Sequence, residues 1–354
     1  MFEKVCHIGP ALDVQGGISS VLVSYRNLFG LPDDKFIPSY NGSFVKSLPL
    51  LFCLCLKLLL NPPDAPYFQI HTSFNGSFFR KFLISLCLRI RRKKYVAHIH
   101  GSRFKKMCLT SPKVVQHFIR SYFKHSVMVI CITPDMQDFL DDFVGNGLCR
   151  YVIIPNPCST IADAPVELSA HTLPVKIIFS GRYGQRKGVY DLIEAFSNAS
   201  FKTPTELYLF GDGEVEKVKA VAASSPKANF IHVSDWLKHD EYLKKLAEFD
   251  LLALPSYAET FGMSLVEAMG LGIPVVAASS GGVPYVVRNG VDGFLIDAGD
   301  VDALARKLES LVDDCSLRLQ MGLAAWMGCK ERFSGTTVLE LLKLHYRKLD
   351  LVYA

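Results

Sequence analysis

Pro255-Ser256-Tyr257-Ala258-Glu259-Thr260-Phe261-Gly262-Met263-Ser264-Leu265-Val266-Glu267-Ala268-Met269-Gly270 follows directly on the apolar run Leu251–Leu254. The order is strand, loop, helix. The strand ends at Pro255 and a helix is predicted over Ser264–Met269, opening near Gly262. Free backbone N–H groups and the positive end of the helix dipole make such a start an anion site. Gly262 lets a phosphate or sugar approach the backbone with no Cβ in the way. Glu259 precedes the helix and Glu267 lies more than a turn inside it, so the two carboxylates can reach separate points of one elongated ligand. On spacing alone another reading stays open, with Glu259 as a helix-dipole partner and Glu267 as a solvated helix residue.

A second strand-to-helix loop lies upstream, Ser180-Gly181-Arg182-Tyr183-Gly184-Gln185-Arg186-Lys187-Gly188. Arg182 offers a fork of donors and Lys187 a mobile point charge, a pairing suited to a diphosphate. Around these loops, strands are predicted at 175–180, 206–210, 230–233, 251–254, 274–277 and 293–296. Helices are predicted at 189–197, 214–223, 240–249, 264–269 and 301–311. The N-terminal half repeats the alternation, with strands at 5–8, 66–71, 95–100, 126–132 and 150–154. Its helices are expected at 18–28, 48–60, 77–92, 112–124 and 134–143. Strands alternating with helices argue for parallel α/β sheets, with ligands at the C-terminal strand ends. The chain therefore divides into an N-terminal domain (1–160), a Pro-containing linker (161–174) and a C-terminal domain (175–335). A final helix (336–354) follows, with packing back onto the N-terminal domain one option for it.

A length of 354 residues fits two domains rather than one core. Ten cysteines without CxxC spacing, mostly inside apolar runs, fit buried thiols in a reducing compartment. No Cys/His cluster has zinc-ligand spacing, so no metal site is expected. Leu48–Leu60 is apolar but shorter than the roughly 20 residues of a spanning helix, and the start lacks a signal-peptide pattern; a cytoplasmic protein is expected. Charge is lopsided. Residues 1–160 carry 19 Lys+Arg against 9 Asp+Glu, and 13 cations and no acids fall between Asp64 and Asp135. The remaining residues carry 20 cations against 25 acids. An anionic partner for the N-terminal half follows: a membrane surface, a lipid phosphate or a nucleic acid. Within Phe78–Lys94, an apolar stripe (Phe78, Phe79, Phe82, Leu83, Leu86, Ile90) accompanies Arg80, Lys81, Arg89, Arg91, Arg92, Lys93 and Lys94, as in membrane-surface helices.

Taken together, the motifs resemble the family 4 retaining glycosyltransferases of GT-B fold. The resemblance rests on Glu259 and Glu267 with seven residues between them, Gly181-Arg182 with Lys187-Gly188, and Leu209-Phe210-Gly211-Asp212-Gly213. Gly272-Ile273-Pro274-Val275-Val276 and Gly281-Gly282-Val283-Pro284 continue it in order along residues 175–312, and Ile153-Ile154-Pro155-Asn156 is similar to the strand that closes the N-terminal domain. Gly16-Gly17 is similar to the family's glycine loop facing the donor phosphates, and His98-Ile99-His100-Gly101 to its active-site histidine segment. The resemblance implies two Rossmann-like domains facing each other across a cleft. It implies that Glu267 holds the ribose hydroxyls, and that Glu259 contacts the transferred sugar with backbone N–H groups near Phe261, Gly262 and Met263. Arg182 and Lys187 would neutralise the diphosphate, and His100 would sit near the reacting sugar. His98 is expected on the opposite face from His100.

Two departures stand out. Thr260 occupies a position where many relatives have glycine. The only Asp-x-Asp, Asp300-Val301-Asp302, starts a helix, where an N-cap accounts for it. With cations available for the diphosphate, neither a metal nor another cofactor is expected. The implied reaction moves a hexosyl or N-acetylhexosaminyl group, with retention, from a UDP- or GDP-linked sugar to a saccharide or lipid-linked acceptor. That belongs to cell-surface polysaccharide or lipopolysaccharide synthesis, at the inner face of the plasma membrane. The competing readings are a GT-B sugar-nucleotide epimerase or phosphorylase and a non-enzymatic nucleic-acid-binding protein. The last gives no role to the two glutamates or the acidic second half, so no nucleic-acid partner is expected.

Overall fold

A computed structural model of the chain describes residues 2–14, 16–101, 103–165 and 173–353. It divides into two compact units, Met1–Pro157 with Gly335–Ala354, and Cys158–Ser334.

In the first unit the strands are β1 (Cys6–Gly9), β2 (Phe36–Pro38), β3 (Phe68–Thr72), β4 (Tyr95–Ile99), β5 (Met128–Cys131) and β6 (Tyr151–Ile153). They form one parallel sheet in the order β2-β1-β3-β4-β5-β6. The helices are α1 (Gly17–Phe29), α2 (Phe44–Leu60), α3 (Gly76–Ile90), α4 (Phe104–Thr110), α5 (Lys113–Lys124) and α6 (Pro134–Val144). β1, β3, β4 and β5 are buried at every position, because helices cover both faces of a parallel sheet. One core, on the α2 and α3 side, gathers Leu54, Leu58, Ile70, Phe78, Ala97 and Phe123.

The second unit carries β7 (Val175–Ser180), α7 (Val189–Asn198), β8 (Thr205–Gly211), α8 (Val215–Ala223), β9 (Ile231–Asp235), α9 (His239–Leu246) and β10 (Leu251–Leu254). Then come α10 (Met263–Gly270), β11 (Val275–Ala278), α11 (Val283–Val286), β12 (Gly293–Ile296), α12 (Val301–Asp313) and α13 (Cys315–Phe333). Its sheet is parallel, in the order β12-β11-β10-β7-β8-β9. The chain builds outward from β7 through β8 and β9, then crosses back to β10. The seam between β7 and β10 is thus a topological switch point, where open α/β sheets bind ligands.

The last helix, α14 (Gly335–Tyr353), belongs to the first unit. Its Val338, Leu342, Tyr346 and Leu349 are buried in one cluster with Phe2, Val5, Val21, Tyr25 and Ile130. The expected linker differs from what is found. Cys158 N–H already donates to Phe333 O at 2.7 Å, and Ala162 N–H to Gly270 O at 3.1 Å. Trp326 Nε1 donates to Ala162 O at 2.9 Å. Residues 158–162 are therefore the first layer of the second unit, and 166–172 lie outside the described residues. Three helices and a strand were not anticipated, α11 among them as a single four-residue turn. β2 is three residues ending in proline, and α4 is a two-turn piece. The buried face of α13 mixes Arg318, Gly322, Ala325 and Gly328 with Met321 and Cys329, leaving no apolar stripe to read. Asp300 does cap α12, its carboxylate accepting from Ala303 N–H at 2.8 Å.

Candidate functional site

At the β7/β10 seam the loops after the two strands are laced together. Tyr257 N–H donates to Arg186 O at 2.9 Å, Arg186 Nη1 to Ala258 O at 3.2 Å, and Gln185 Nε2 to the Tyr257 hydroxyl at 3.3 Å. Lys187 Nζ closes an ion pair on Glu259 Oε2, both side chains mostly buried. The structure thus brings together the two loops that the sequence singled out separately. It also answers the Lys187 charge with Glu259 rather than leaving it bare. Arg182 is exposed on the same loop. Its neighbour Tyr183 bridges to Gly213 and donates from N–H to Asp212 O at 2.6 Å, tying the β7 loop to the β8 loop.

Gly262 caps α10 in the left-handed region, φ 81°. A side chain there is disfavoured by the backbone itself. Gly281, at φ 55°, is more constrained: a Cβ would run into the carbonyl oxygen of Glu259. The Glu259 loop is therefore clamped from both sides, by Lys187 and by the 281–282 turn, whose Gly282 N–H donates to Glu259 O at 3.3 Å. Phe261 is buried edge-on against Phe333, ring centroids 5.3 Å apart, while Met263 is half-buried at the helix start. The first-turn N–H groups of α10 have no carbonyl above them in the helix.

Glu267 is no solvated helix residue: it is 4% exposed. Burial, with the Cys158 thiol adding to it, raises its carboxyl well above the usual range. His239 Nδ1 stands 4.0 Å from Oε1. Behind it Cys158 and Cys329 both point their sulfurs at Val266 O, at 3.4 and 3.5 Å. A buried carboxyl with costly ionisation, on a short helix following a loop of the ligand seam, marks Glu267 as a candidate functional group.

In the first unit, Gly16 (φ 155°) precedes α1 and Gly17 begins it. A Cβ on either would meet nothing within 4 Å, so packing does not demand glycine there. His100 follows β4 and belongs to a cluster that spacing did not disclose. His7 Nδ1 contacts His71 Nε2 at 3.2 Å, and His71 Nδ1 contacts His100 Nε2 at 3.0 Å. His98 lies on the same face as His100, ring centroids 4.0 Å apart, which corrects the expectation of opposite faces: alternate strand residues share a face. Gln69 links His98 Nδ1 (2.8 Å) to the Tyr346 hydroxyl of α14 (2.8 Å). Burial pushes His7 and His100 down to about 3, and His71 and His98 well below their usual value, so all four rings are neutral. The nitrogens of His71, His98 and His100 all lie within 4.8 Å of one another, the one such metal-competent group among the described residues. Its signal was histidines near the C-terminal ends of β3 and β4, with His7 on β1 beside them, legible only once β1, β3 and β4 are known to be neighbours.

The basic apolar helix α3 needs correction. Phe78 is fully buried, Phe82 and Leu86 are half-buried, and Lys81 is buried with Nζ on Ser39 Oγ at 2.6 Å, pushed down to about 7 by burial. Of the expected stripe Phe79, Leu83 and Ile90 are exposed, beside Val45, Leu48, Phe52, Leu56 and Leu60 along the adjoining α2. Arg91 and Arg92 are exposed and Arg89, Lys93 and Lys94 half-exposed at the C-terminal end of α3. No helix among the described residues is long and apolar enough to cross a membrane.

Residues 161–325 match the family described as glycosyl transferases group 1. A lipopolysaccharide core biosynthesis glycosyltransferase LpsE of Rhizobium meliloti is 30% identical over 215 residues, 57% of this chain and 58% of its own length. A glycogen synthase of Mycobacterium tuberculosis is 28% identical over 63% of this chain and 54% of its own length. The chain thus spans about half the length of these curated relatives. In fold, a sucrose-phosphate synthase of Thermosynechococcus elongatus superposes with a TM-score of 0.79 at 16% identity, covering 98% of this chain and 99% of that one. Anabaena HepE in complex with UDP-glucose gives 0.73 at 18% identity, covering 97% and 99%. The pair of six-stranded parallel sheets is the GT-B fold, and the match over 161–325 bears out the group 1 glycosyltransferase resemblance read from the motifs.

Proposed function

We propose that the chain is a glycosyltransferase that moves a sugar from a nucleoside-diphosphate donor, UDP-linked in the first instance, to a saccharide acceptor carried on a lipid, with retention at the anomeric carbon. The observation that carries the reading is the second unit's switch point, where Lys187 and Glu259 pair across the two loops and Glu267 is buried in the helix that follows the second of them. Glu267 accepts hydrogen bonds from the ribose hydroxyls. Arg182 and Lys187 take the diphosphate, Lys187 turning from Glu259 toward it, and the α10 first turn orients the sugar with Glu259. Departure of the diphosphate builds negative charge on its bridging oxygen, which the two cations and the helix N–H groups stabilise once Lys187 has turned to it. The family resemblance gives Gly16 and Gly17 to the phosphates and His100 to a sugar hydroxyl. With Glu259 given to orienting the sugar, no carboxylate is assigned as a covalent nucleophile, and front-face departure and attack is the working mechanism. No metal or other cofactor is required for it.

A lipid-carried acceptor at an anionic membrane face is supported by the apolar stripe on α2 and the basic end of α3 in the first unit. The test is incubation with a panel of UDP- and GDP-sugars and lipid-linked saccharides, with product analysis by mass spectrometry and anomeric assignment by NMR. A lengthened saccharide with retained configuration is expected. An epimerised nucleotide sugar or a sugar phosphate would assign the site to other chemistry.

A further inference from the structure

We infer that His71, His98 and His100 form a binding site for a divalent cation of borderline softness, Zn²⁺ in the first place, held in orientation by His7 and Gln69. The site itself stands apart from the transfer reading; only its effect on turnover rests on that reading.

The geometry is close to what the ion requires. Zinc binds imidazole nitrogen at about 2.0–2.1 Å, which in a tetrahedral set puts ligand nitrogens roughly 3.3 Å apart. His71 Nδ1 and His100 Nε2 already face each other at 3.0 Å, and the three ligand atoms lie within 4.8 Å of one another. The third ligand is marked by an orphan. His98 Nε2 is buried and has no hydrogen-bond partner, while Nδ1 is occupied by Gln69. Such a group is costly to bury unless something meets it.

The outer partners favour the ion too. A ligating histidine usually donates its other N–H to a fixed acceptor, and His7 Nδ1 stands ready for His71 Nε2. The oxygen and nitrogen of the Gln69 amide exchange places by a flip of the side chain. With the oxygen toward His98 and the amide nitrogen toward the Tyr346 hydroxyl, His98 carries its proton on Nδ1 and its Nε2 lone pair is free. Binding then needs only tautomer shifts, with no net proton taken up or released. Three neutral nitrogens with no carboxylate or thiolate suit Zn²⁺ and Co²⁺ and not Mg²⁺. His100 is the least buried of the three, so the fourth position faces solvent and takes a water. The occupied site ties up His100 Nε2 and so opposes whatever that atom does in transfer.

The test uses the full chain, free of any tag and stripped with a chelator, titrated with Zn²⁺ against a chromophoric competitor and with Co²⁺ by its visible absorption. One tightly bound ion per chain with a tetrahedral Co²⁺ spectrum is expected. His98→Asn should abolish it, and Gln69→Ala, which leaves all ligands in place, should weaken it 10- to 100-fold. Failure of the wild type to bind one ion, or wild-type binding by His98→Asn, overturns the site whatever the effect on activity. Zn²⁺ is further expected to slow transfer by the wild type in step with occupancy. A bound ion that leaves turnover unchanged would sustain the metal site and refute the role given to His100.

Discussion

Replacing Glu267 by glutamine should make the protein more stable and a poorer binder at once. Glutamine keeps the volume and removes the charge. The unfolded carboxyl titrates near 4.5, the folded one well above it, because burial disfavours the ionised form. Below pH 4.5 both states hold the proton and the two side chains differ little. As pH rises past that point the unfolded chain releases its proton and the folded chain keeps it. Wild-type stability therefore falls by about 1.4 kcal/mol per pH unit until the folded value is passed, and the glutamine variant escapes the loss. Both tryptophans, Trp236 and Trp326, lie in the second unit, so their fluorescence in urea reports that unit alone. The variant should match wild type near pH 4.5 and gain progressively as pH rises, levelling off once the folded value is passed. Donor binding should move the other way. A hydrogen bond to a charged group contributes about 1.5–3 kcal/mol, so UDP affinity should fall roughly 10- to 150-fold by calorimetry. Wild-type binding should also release a proton, visible as a dependence of the measured heat on buffer ionisation, and the variant should release none. A variant that is less stable at pH 7, or that binds UDP as tightly as wild type, refutes the assignment.

Arg182→Ala and Lys187→Ala should each weaken UDP binding several-fold or more without a sugar present, and Lys187→Ala should cost more, since it also releases Glu259; intact UDP binding in both would reduce these residues to a surface turn. Wild type should co-sediment with anionic liposomes at low salt and be largely but not wholly released at high salt, each Lys or Arg near the leaflet giving about 1 kcal/mol. Changing Arg89, Arg91, Arg92, Lys93 and Lys94 to Gln should abolish this, and Phe52→Ser with Leu60→Ser should weaken it about tenfold or more by removing apolar side chains from the bilayer edge; equal binding by both variants would defeat the membrane assignment.

Much of the second unit was legible because its ligand loops are written in backbone terms. Gly188, Gly262 and Gly281 take positive φ and sit at strand ends, and those requirements leave residue types in the sequence. The Lys187–Glu259 pair was not legible: 72 positions separate the partners, and their meeting depends on β7 and β10 being neighbours. The same holds for His7, His71 and His98, whose proximity depends on the order β1-β3-β4. Glu267 shows a different limit. A carboxylate in the middle of a short helix reads as solvent-facing until α13 is known to cover α10, and α13 was itself hidden by the small and charged residues on its buried face.

The acceptor side shows why period alone misassigns a face. In α2 the residues Leu51, Leu54 and Leu58 are buried, and Val45, Leu48, Phe52, Leu56 and Leu60 repeat at the same helical spacing on the other side. Both stripes are apolar, so nothing in the pattern says which one meets the sheet; only the turn of the chain onto β3 decides it. In α3 the stripe read from sequence joined two rows: Phe78 is wholly buried with Phe82 and Leu86 half-buried, and the exposed row is Phe79, Leu83 and Ile90. Only half of the stripe is therefore free, and its place beside α2 moves the membrane hypothesis from α3 alone to a surface shared by α2 and α3. A single charged helix end gives salt-sensitive attraction and little else, whereas a second helix with exposed Phe52 and Leu60 adds a hydrophobic contribution that salt does not screen. The liposome experiment therefore separates the two surfaces: residual binding at high salt that disappears with Phe52→Ser and Leu60→Ser belongs to α2, and complete release by salt alone would return the attachment to the basic end of α3.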